Sequence, residues 1–232
     1  MGAGAWSWTG VLPVAGDVCQ AGDVSRLGAV LRERAADLSG VFYCVGVSRP
    51  DFVEALDVER AVDTVRVNFE GALRVFYEVL PLVRAQAGGG FLAGFTSMAA
   101  DRGFPRGHSY CAAKAALDRL LESLRIDLYE TSVKIFTIVP GYVETPMSAQ
   151  NRFPMPGIWP VGKGVTHILR RLEREEQVIR FPWYHSWGMA LLGLLPNRLY
   201  WWLASRQRGQ VRIEPQAGDR FQWNAEPGSA GR

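Results

Sequence analysis

The chain has 232 residues, 48% of them hydrophobic and 21% charged, and this composition excludes a disordered protein and predicts one that buries a sizeable core. Its three cysteines are an odd number scattered through apolar segments, which excludes a disulfide framework and favours a reduced, cytoplasmic compartment. The net charge of +3 comes from residues 163–232, which hold 11 basic and 6 acidic side chains. This excess indicates contact with an anionic surface or a solubilising arginine face. No nucleic-acid-binding motif accompanies the basic residues, so no nucleic acid is expected.

Short apolar β-branched runs alternate with longer helical patterns along the chain. Strands are predicted at 11–15, 40–47, 90–96 and 133–139. Helices are predicted at 24–36, 58–87, 109–129 and 165–176. This alternation predicts an α/β fold in which crossover helices connect the strands of a buried parallel sheet.

The last part of the predicted domain, residues 181–204, is rich in tryptophan and leucine. Arg180, Arg198 and Arg206 flank this wide apolar face. It has three interpretations: an amphipathic element in peripheral contact with a membrane, a cover over a substrate pocket, or a dimer seam. Pro196 interrupts the apolar run, so the segment should not span a bilayer. Residues 1–204 are expected to form a single domain with its substrate region at 142–204, and 205–232 a disordered tail.

The chemistry is indicated by Ser97, Tyr110 and Lys114. Tyr110 and Lys114 are four residues apart at the start of a predicted helix and therefore share a face. An ammonium near a phenol favours the phenolate and lowers the phenol pKa from about 10, so Tyr110 could act as a general acid/base. Ser97 follows a strand, at the edge where open parallel sheets bind ligands. A tyrosine four residues from a lysine is common by chance, but the serine and the later segment 140–145 make a catalytic site the better interpretation.

These residues resemble the short-chain dehydrogenase/reductase family, through Ser97, Tyr110-x-x-x-Lys114 and Pro140-Gly141-Tyr-Val143-Glu-Thr145. Asn68 falls where the family keeps an asparagine that supports a water of the proton relay. Asp17-Val18 looks like the family's aspartate-hydrophobic pair beside the adenine ring. Tyr43-Cys-Val-Gly46 occupies the position of the family's Asn-Asn-Ala-Gly turn, with only the glycine kept.

The resemblance implies a Rossmann-like doubly wound parallel sheet and an NAD(P)-dependent oxidoreductase. It implies hydride transfer between a nicotinamide and an alcohol or ketone of an apolar small-molecule substrate, in a homo-oligomer. The implied catalytic residues are Asn68, Ser97, Tyr110 and Lys114. The implied residues of the NAD or NADP site are Asp17, Val18, Gly46, Tyr110, Lys114, Pro140, Gly141, Val143 and Thr145. No metal is expected, because the histidines and cysteines show no metal-ligand spacing.

One part of the family pattern is missing. A glycine-rich turn between a first strand and a helix would hold the cofactor pyrophosphate, and the chain has no such passage. The glycines at 2, 4 and 10 follow no strand, and those at 88–90 precede one. The first β-α-β unit is therefore expected to be lacking, so strand 11–15 would lie apart from the sheet or pair with 41–47.

Two explanations compete for this omission. The sequence lacks a true N-terminus, or the chain is a degenerate relative, and the joint retention of the catalytic residues favours the first. The alternative function is an inactive protein of the same fold that binds a membrane surface or a protein partner through its tryptophan-rich C-terminal segment. An inactive fragment that does not fold alone is a third reading.

Overall fold

Four parallel strands form one sheet in the computed structural model, which describes residues 12–34, 38–151 and 154–206. The strands are β1 (Gly40–Tyr43), β2 (Gly90–Phe95), β3 (Val133–Pro140) and β4 (Val178–Phe181), in the order β1-β2-β3-β4. Gly40 is in register with Phe91 at the start of the sheet, and Pro140 with Phe181 at its other end. Parallel neighbours require crossover connections, so the α/β prediction is confirmed.

The helices are α1 (Ala21–Arg34), α2 (Val58–Val65), α3 (Gly71–Arg84), α4 (His108–Asp127), α5 (Val161–Leu172), α6 (Trp183–Leu194) and α7 (Asn197–Ser205). Of these, α2 and α3 connect β1 to β2, α4 connects β2 to β3, and α5 connects β3 to β4. A π-helical turn, Arg66–Glu70, lies between α2 and α3. Within the described residues, none of the helices has the length and apolar character needed to cross a membrane.

Both faces of the sheet are covered, because successive side chains of a strand point to opposite faces. Leu92 of β2 packs on one face with Phe76 of α3 and Leu121 of α4. Its neighbour Ala93 packs on the other face in a cluster that includes Ile168 of α5. Of these five side chains, all but Ile168 are completely buried. The prediction of a doubly wound sheet is thus confirmed.

Three sequence predictions of elements need correction. The helix predicted at 58–87 is interrupted by the π turn, which hydrophobic spacing does not reveal. Residues 12–15, in the predicted strand 11–15, are exposed and form no strand; they lie apart from the sheet, and Val11 is outside the described residues. β4 was missed because its four residues are too few to show a period. The predicted tail from 207 on lies outside the described residues.

Leu121→Ala tests the packing of α4 on the sheet. Leu121 is fully buried and faces Gly94 of β2, where a Cβ would lie 2.7 Å from its side chain. Truncation should lower the free energy of unfolding by about 2–5 kcal/mol in urea titrations. Ile126→Ala on the same helix is the control, because Ile126 is exposed and its loss should cost less than about 0.5 kcal/mol. Equal effects of the two substitutions would contradict this packing.

Candidate active site

The candidate site lies at the carboxyl ends of β1, β2 and β3. Gly46 follows β1, Ser97 follows β2 and Gly141 follows β3. The ladder continues past two of these strands, since Thr96 N–H donates to Ile138 O at 2.8 Å and Gly141 N–H to Phe181 O at 2.7 Å. Parallel strands end at one edge, so residues distant in sequence meet there.

The start of α4 is fixed by a side chain that the sequence analysis did not single out. Asp51 accepts hydrogen bonds from Ser109 N–H at 2.7 Å and from Ser109 Oγ–H at 3.0 Å. A carboxylate in this position satisfies amide groups that the first turn of a helix leaves unpaired. Asp51 therefore positions the turn that carries Tyr110. Its distance of 58 residues from Ser109 in sequence left no local signal.

Ser97 and Tyr110 are brought together as expected. Ser97 Oγ accepts from Ala99 N–H at 3.1 Å, and its hydroxyl lies close enough to Tyr110 to affect the pKa of the phenol. Burial raises the pKa of Tyr110 above its usual value, and Ser97 acts in the opposite direction without cancelling this effect. The phenol is therefore protonated at neutral pH.

Lys114 is buried and ties α4 to the end of β2. Only 5% of the residue is exposed, and Nζ donates to the carbonyl oxygen of Phe95 at 2.8 Å. Burial lowers the pKa of Lys114 from 10.5 to about 8, against a smaller opposing effect of Cys44. Nζ lies 5.8 Å from the centroid of the Tyr110 ring. The expectation that this ammonium lowers the Tyr110 pKa is wrong for the free protein, because burial is the largest effect on the phenol and raises its pKa.

Asn68 lies fully buried in the π turn. Its Nδ2 donates to Val47 O at 2.7 Å and to Thr64 O at 2.9 Å, which fixes the orientation of the amide. Its Oδ1 is buried without a hydrogen-bond partner among the described residues. A Cβ on Gly46 would lie 2.8 Å from this oxygen and 3.4 Å from Lys114 Nζ. The glycine therefore leaves a small polar space between the two groups.

The π turn that presents Asn68 is held by Tyr43. Gly71 N–H donates to Arg66 O in the wider spacing of this turn, so it is not available to Val67 O. The buried hydroxyl of Tyr43 donates to that oxygen at 2.7 Å. A Cβ on Gly71 would lie 2.7 Å from the same hydroxyl. Tyr43 thus supplies the bond that the irregular turn lacks, a role that spacing alone could not predict.

Asp17 and Val18 form a second set beside the end of β1. Asp17 Oδ1 accepts from Cys19 N–H at 2.8 Å, and its own N–H donates to Asp23 at 2.8 Å. Val18 lies against Gly71, where a Cβ would come within 2.7 Å of its side chain. The predicted adenine-side pair is therefore next to the π turn, on the edge that carries Asn68.

The segment after β3 forms a third set, next to β4 and α6. Gly141 lies under the His185 ring, where a Cβ would come within 2.4 Å of Nδ1. Val143 forms a bridge with Trp159. Thr145 is exposed, and its Oγ1 accepts from Ser148 N–H at 3.1 Å. Pro140 ends β3 and so begins this set.

An apolar wall stands beside Ser97. Met98 directly follows the serine and clusters with Val139 of β3 and Met189 of α6, all buried. Phe104 and Leu192 pack against this cluster. The sequence analysis missed Met98 and Met189, because a methionine in an apolar stretch gives no functional signal. In the described residues, no group of three His, Cys, Asp or Glu side chains is placed to hold a metal ion.

The family model of the short chain dehydrogenases matches residues 7–155. The chain belongs to the short-chain dehydrogenase family. An uncharacterised oxidoreductase of Myxococcus xanthus is 32% identical over 85% of the chain and 78% of that protein. An 11-beta-hydroxysteroid dehydrogenase-like protein of Arabidopsis thaliana is 30% identical over 68% of the chain and 50% of its own length.

Solved structures of short-chain dehydrogenases share the fold. One from Burkholderia cenocepacia J2315, in complex with NADP, aligns with a TM-score of 0.70 and 27% identity, covering 84% of this chain and 77% of that one. Another, from Streptomyces avermitilis, aligns with a TM-score of 0.69 and 19% identity, covering 83% and 79%. The Rossmann-like architecture predicted from the sequence is the architecture of the short-chain dehydrogenases.

Tyr43→Phe should weaken the π turn. The substitution removes the hydroxyl that Val67 O accepts and keeps the ring, so unfolding in urea should require about 1–2 kcal/mol less free energy. Amide exchange of residues 66–70 should accelerate by more than that of α4. The matched control is Tyr77→Phe on α3, because Tyr77 is exposed and its hydroxyl should contribute little. An unchanged exchange rate in the turn would remove Tyr43 from this role.

Lys114→Met should change stability in a pH-dependent manner. Because the Lys114 pKa falls from 10.5 to about 8 on folding, the unfolded chain binds more protons between these values and the stability of the native protein rises with pH there. The free energy of unfolding of Lys114→Met relative to that of the wild type should therefore be highest at pH 7. This difference should fall by up to about 3 kcal/mol between pH 8 and 10.5. Urea unfolding at several pH values measures this difference. Exposed Lys163→Met serves as control, and a pH-independent difference at Lys114 would contradict the buried ammonium.

Proposed function

We propose that the chain is an NAD(P)-dependent oxidoreductase that reduces the carbonyl of an apolar small molecule, or oxidises the corresponding alcohol, with Tyr110 as general acid/base. The observation that supports it best is the joint placement of four groups at one edge of the sheet. Ser97 lies close enough to Tyr110 to affect its pKa, buried Lys114 lies beside that ring, and the free Oδ1 of Asn68 faces the same space as Lys114 Nζ.

The residues present fit the nicotinamide end of the cofactor. Gly46 leaves open a space that a side chain would fill, and the N–H groups of Lys114 not bound to Phe95 can donate to a ribose hydroxyl. The NADP complex of the Burkholderia relative supports this assignment. When bound, the cofactor supplies or accepts the hydride. Asp17, Val18, Pro140, Gly141, Val143 and Thr145 complete the proposed site.

The chain's own residues account for the proton. Ser97 Oγ is held in place by Ala99 N–H, and its hydroxyl can turn from Tyr110 to donate to a substrate oxygen. Tyr110, whose pKa is raised by burial, is protonated at neutral pH and can donate to a carbonyl oxygen that gains negative charge. A protonated phenol is the form of Tyr110 that reduction of a carbonyl requires.

Replenishment of that proton follows from the neighbouring groups. Lys114 has a pKa of about 8 and so exchanges protons near neutral pH. Asn68 Oδ1 has an open acceptor position on the other side of the Gly46 space. A water held between these groups would connect Tyr110 to solvent, which is the role we propose for Asn68.

A second candidate function is favoured by a different surface. Trp183, Trp187 and Leu194 are well exposed, as expected for a chain that contacts a membrane or protein partner through its C-terminal segment. If the chain is an inactive protein of this kind, it should show no dinucleotide-dependent turnover. We retain the enzyme as the first proposal, because exposure of α6 does not account for the polar groups gathered at Ser97. A homo-oligomer is the proposed assembly, by resemblance to the family.

Tyr110→Phe tests the enzyme. Loss of the hydroxyl should lower kcat/KM for NADPH- or NADH-dependent reduction of apolar ketones by about 10²–10⁴-fold, because it removes the group proposed to transfer a proton to the carbonyl oxygen. Dinucleotide absorbance measures the rate. The matched control is Tyr129→Phe, at the exposed position that directly follows the C-cap of α4, and its kcat/KM should equal that of the wild type. Equal rates for the wild type and Tyr110→Phe would exclude Tyr110 as the acid.

A further inference from the structure

The outer face of α6 carries an apolar stripe. Trp183, Trp187, Leu191 and Leu194 follow one another at spacings of four, four and three residues and so lie on one side of the helix. Between 62% and 82% of each residue is exposed. Large side chains exposed together on one face, rather than singly, mark a surface that another molecule covers.

The next helix also exposes large apolar side chains. Leu199, Trp201 and Trp202 of α7 are exposed, whereas Tyr200 is buried. The Tyr200 hydroxyl donates to Gly103 O at 2.7 Å, and the Arg102 guanidinium lies 4.0 Å from the centre of its ring. These contacts fix α7 on the body of the protein, so its other aromatic side chains are directed outward. We call the outward side chains of both helices the tryptophan face.

The charges around this face have one sign. No Asp or Glu occurs between Gln177 and Arg206. Arg206 stacks on Trp202 with 3.7 Å between guanidinium and ring centre, and Arg198 is exposed nearby in sequence. Arg180 is paired with Asp101 and adds no net charge. Tryptophan and leucine bordered by arginine without acidic residues is the composition of helices that lie in the interface of an anionic bilayer.

The same charges argue against a second copy as the occupant. A two-fold dimer brings the same patch of both protomers together. Arg198 and Arg206 of each copy would then meet cations, with no carboxylate on α6 or α7 to pair with them. An anionic phospholipid headgroup satisfies these arginines, while the tryptophan and leucine side chains enter the apolar layer beneath it.

The inner face of α6 reaches the candidate active site. Met189, on the side opposite Trp187, packs against Met98, the residue that follows Ser97. Leu192 joins the same apolar wall. One helix therefore presents its outer side to the surroundings and its inner side to the place where the substrate oxygen is expected. An apolar molecule leaving a bilayer at α6 would meet an apolar wall next to the serine.

We propose that the tryptophan face binds a membrane surface containing anionic phospholipid, and that Tyr110 acts on an alcohol or ketone that partitions into that membrane. The binding surface stands on its own observations, and the substrate class rests on the oxidoreductase function proposed above. The helices lie in the interface, with the inner side of α6 against the apolar wall beside Ser97.

Vesicle co-sedimentation tests the surface. The full chain is mixed with vesicles of phosphatidylcholine alone or with phosphatidylglycerol, at low and high salt. We expect binding to the anionic vesicles, a blue shift of tryptophan fluorescence, and weakening by salt. The double variant Trp187→Glu/Leu191→Glu should bind at least about tenfold more weakly. Both residues are exposed, and thermal melting verifies the fold.

The matched control is Ile126→Glu/Tyr129→Glu, which places two carboxylates at exposed apolar positions near the end of α4. It should bind vesicles like the wild type. Absence of binding by the wild type, or equal loss in both double variants, would overturn the membrane surface. A dimer that only Trp187→Glu/Leu191→Glu dissociates, without vesicle binding, would assign the face to a second copy and overturn it as well.

Turnover tests the substrate class. Two ketones with the same head group, one short and water-soluble and one long-chained, are compared with and without anionic vesicles. We expect vesicles to raise the ratio of kcat/KM for the long ketone over the short one in the wild type, and to leave it unchanged in Trp187→Glu/Leu191→Glu. A ratio that vesicles do not alter would overturn the membrane-held substrate. Vesicle binding without turnover of either ketone would instead contradict the oxidoreductase function and leave the surface in place.

Discussion

The hydrogen bond from the buried Lys114 ammonium to the carbonyl of Phe95 is the interaction on which the site depends. It joins the first part of α4 to the last residue of β2, and Ser97 and Tyr110 follow from these two elements. A buried ammonium is costly unless it is hydrogen-bonded, so few positions of the lysine are compatible with this fold. The cost of burial is also what lowers its pKa toward neutrality. One bond thereby sets both the geometry and the proton chemistry of the edge.

Irregular backbone completes the site where regular structure could not. The π turn directs Asn68 inward, and two donors from its amide leave only Oδ1 free. Tyr43, at the end of β1, donates a hydrogen bond to Val67 O, so that the buried turn does not leave this carbonyl unpaired. π turns occur often at functional sites, because they rotate a side chain out of the helical repeat. On the far side, α6 supplies an apolar wall, and the proposed function assigns the proton to the polar groups and the body of the substrate to the apolar ones.

Local sequence patterns predicted the parallel α/β fold because buried strands and crossover helices leave distinct periodicities, as in 90–96 and 109–129. The grouping of Ser97, Tyr110 and Lys114 could be predicted because the three residues are close in sequence. The partners of Lys114 and Asn68 could not be predicted, since Phe95 O and Val47 O are backbone atoms, and the residue type gives no indication of them. Asp51 and Tyr43 act across 58 and 24 residues, and only folding brings them to their partners. The prediction of a strand at 11–15 was wrong, because an apolar run forms a strand only where a neighbouring strand is available to pair with it.

The central claim is that this edge of the sheet is a preformed nicotinamide site, and calorimetric titration of the full chain with NADPH and NADH tests it most directly. The account predicts that the wild type binds one dinucleotide per chain. Gly46→Ala, whose methyl group would lie 2.8 Å from Asn68 Oδ1 and 3.4 Å from Lys114 Nζ, should bind far more weakly, with thermal melting verifying that the variant folds. Binding of neither dinucleotide to the wild type, or equal binding to both proteins, would contradict it.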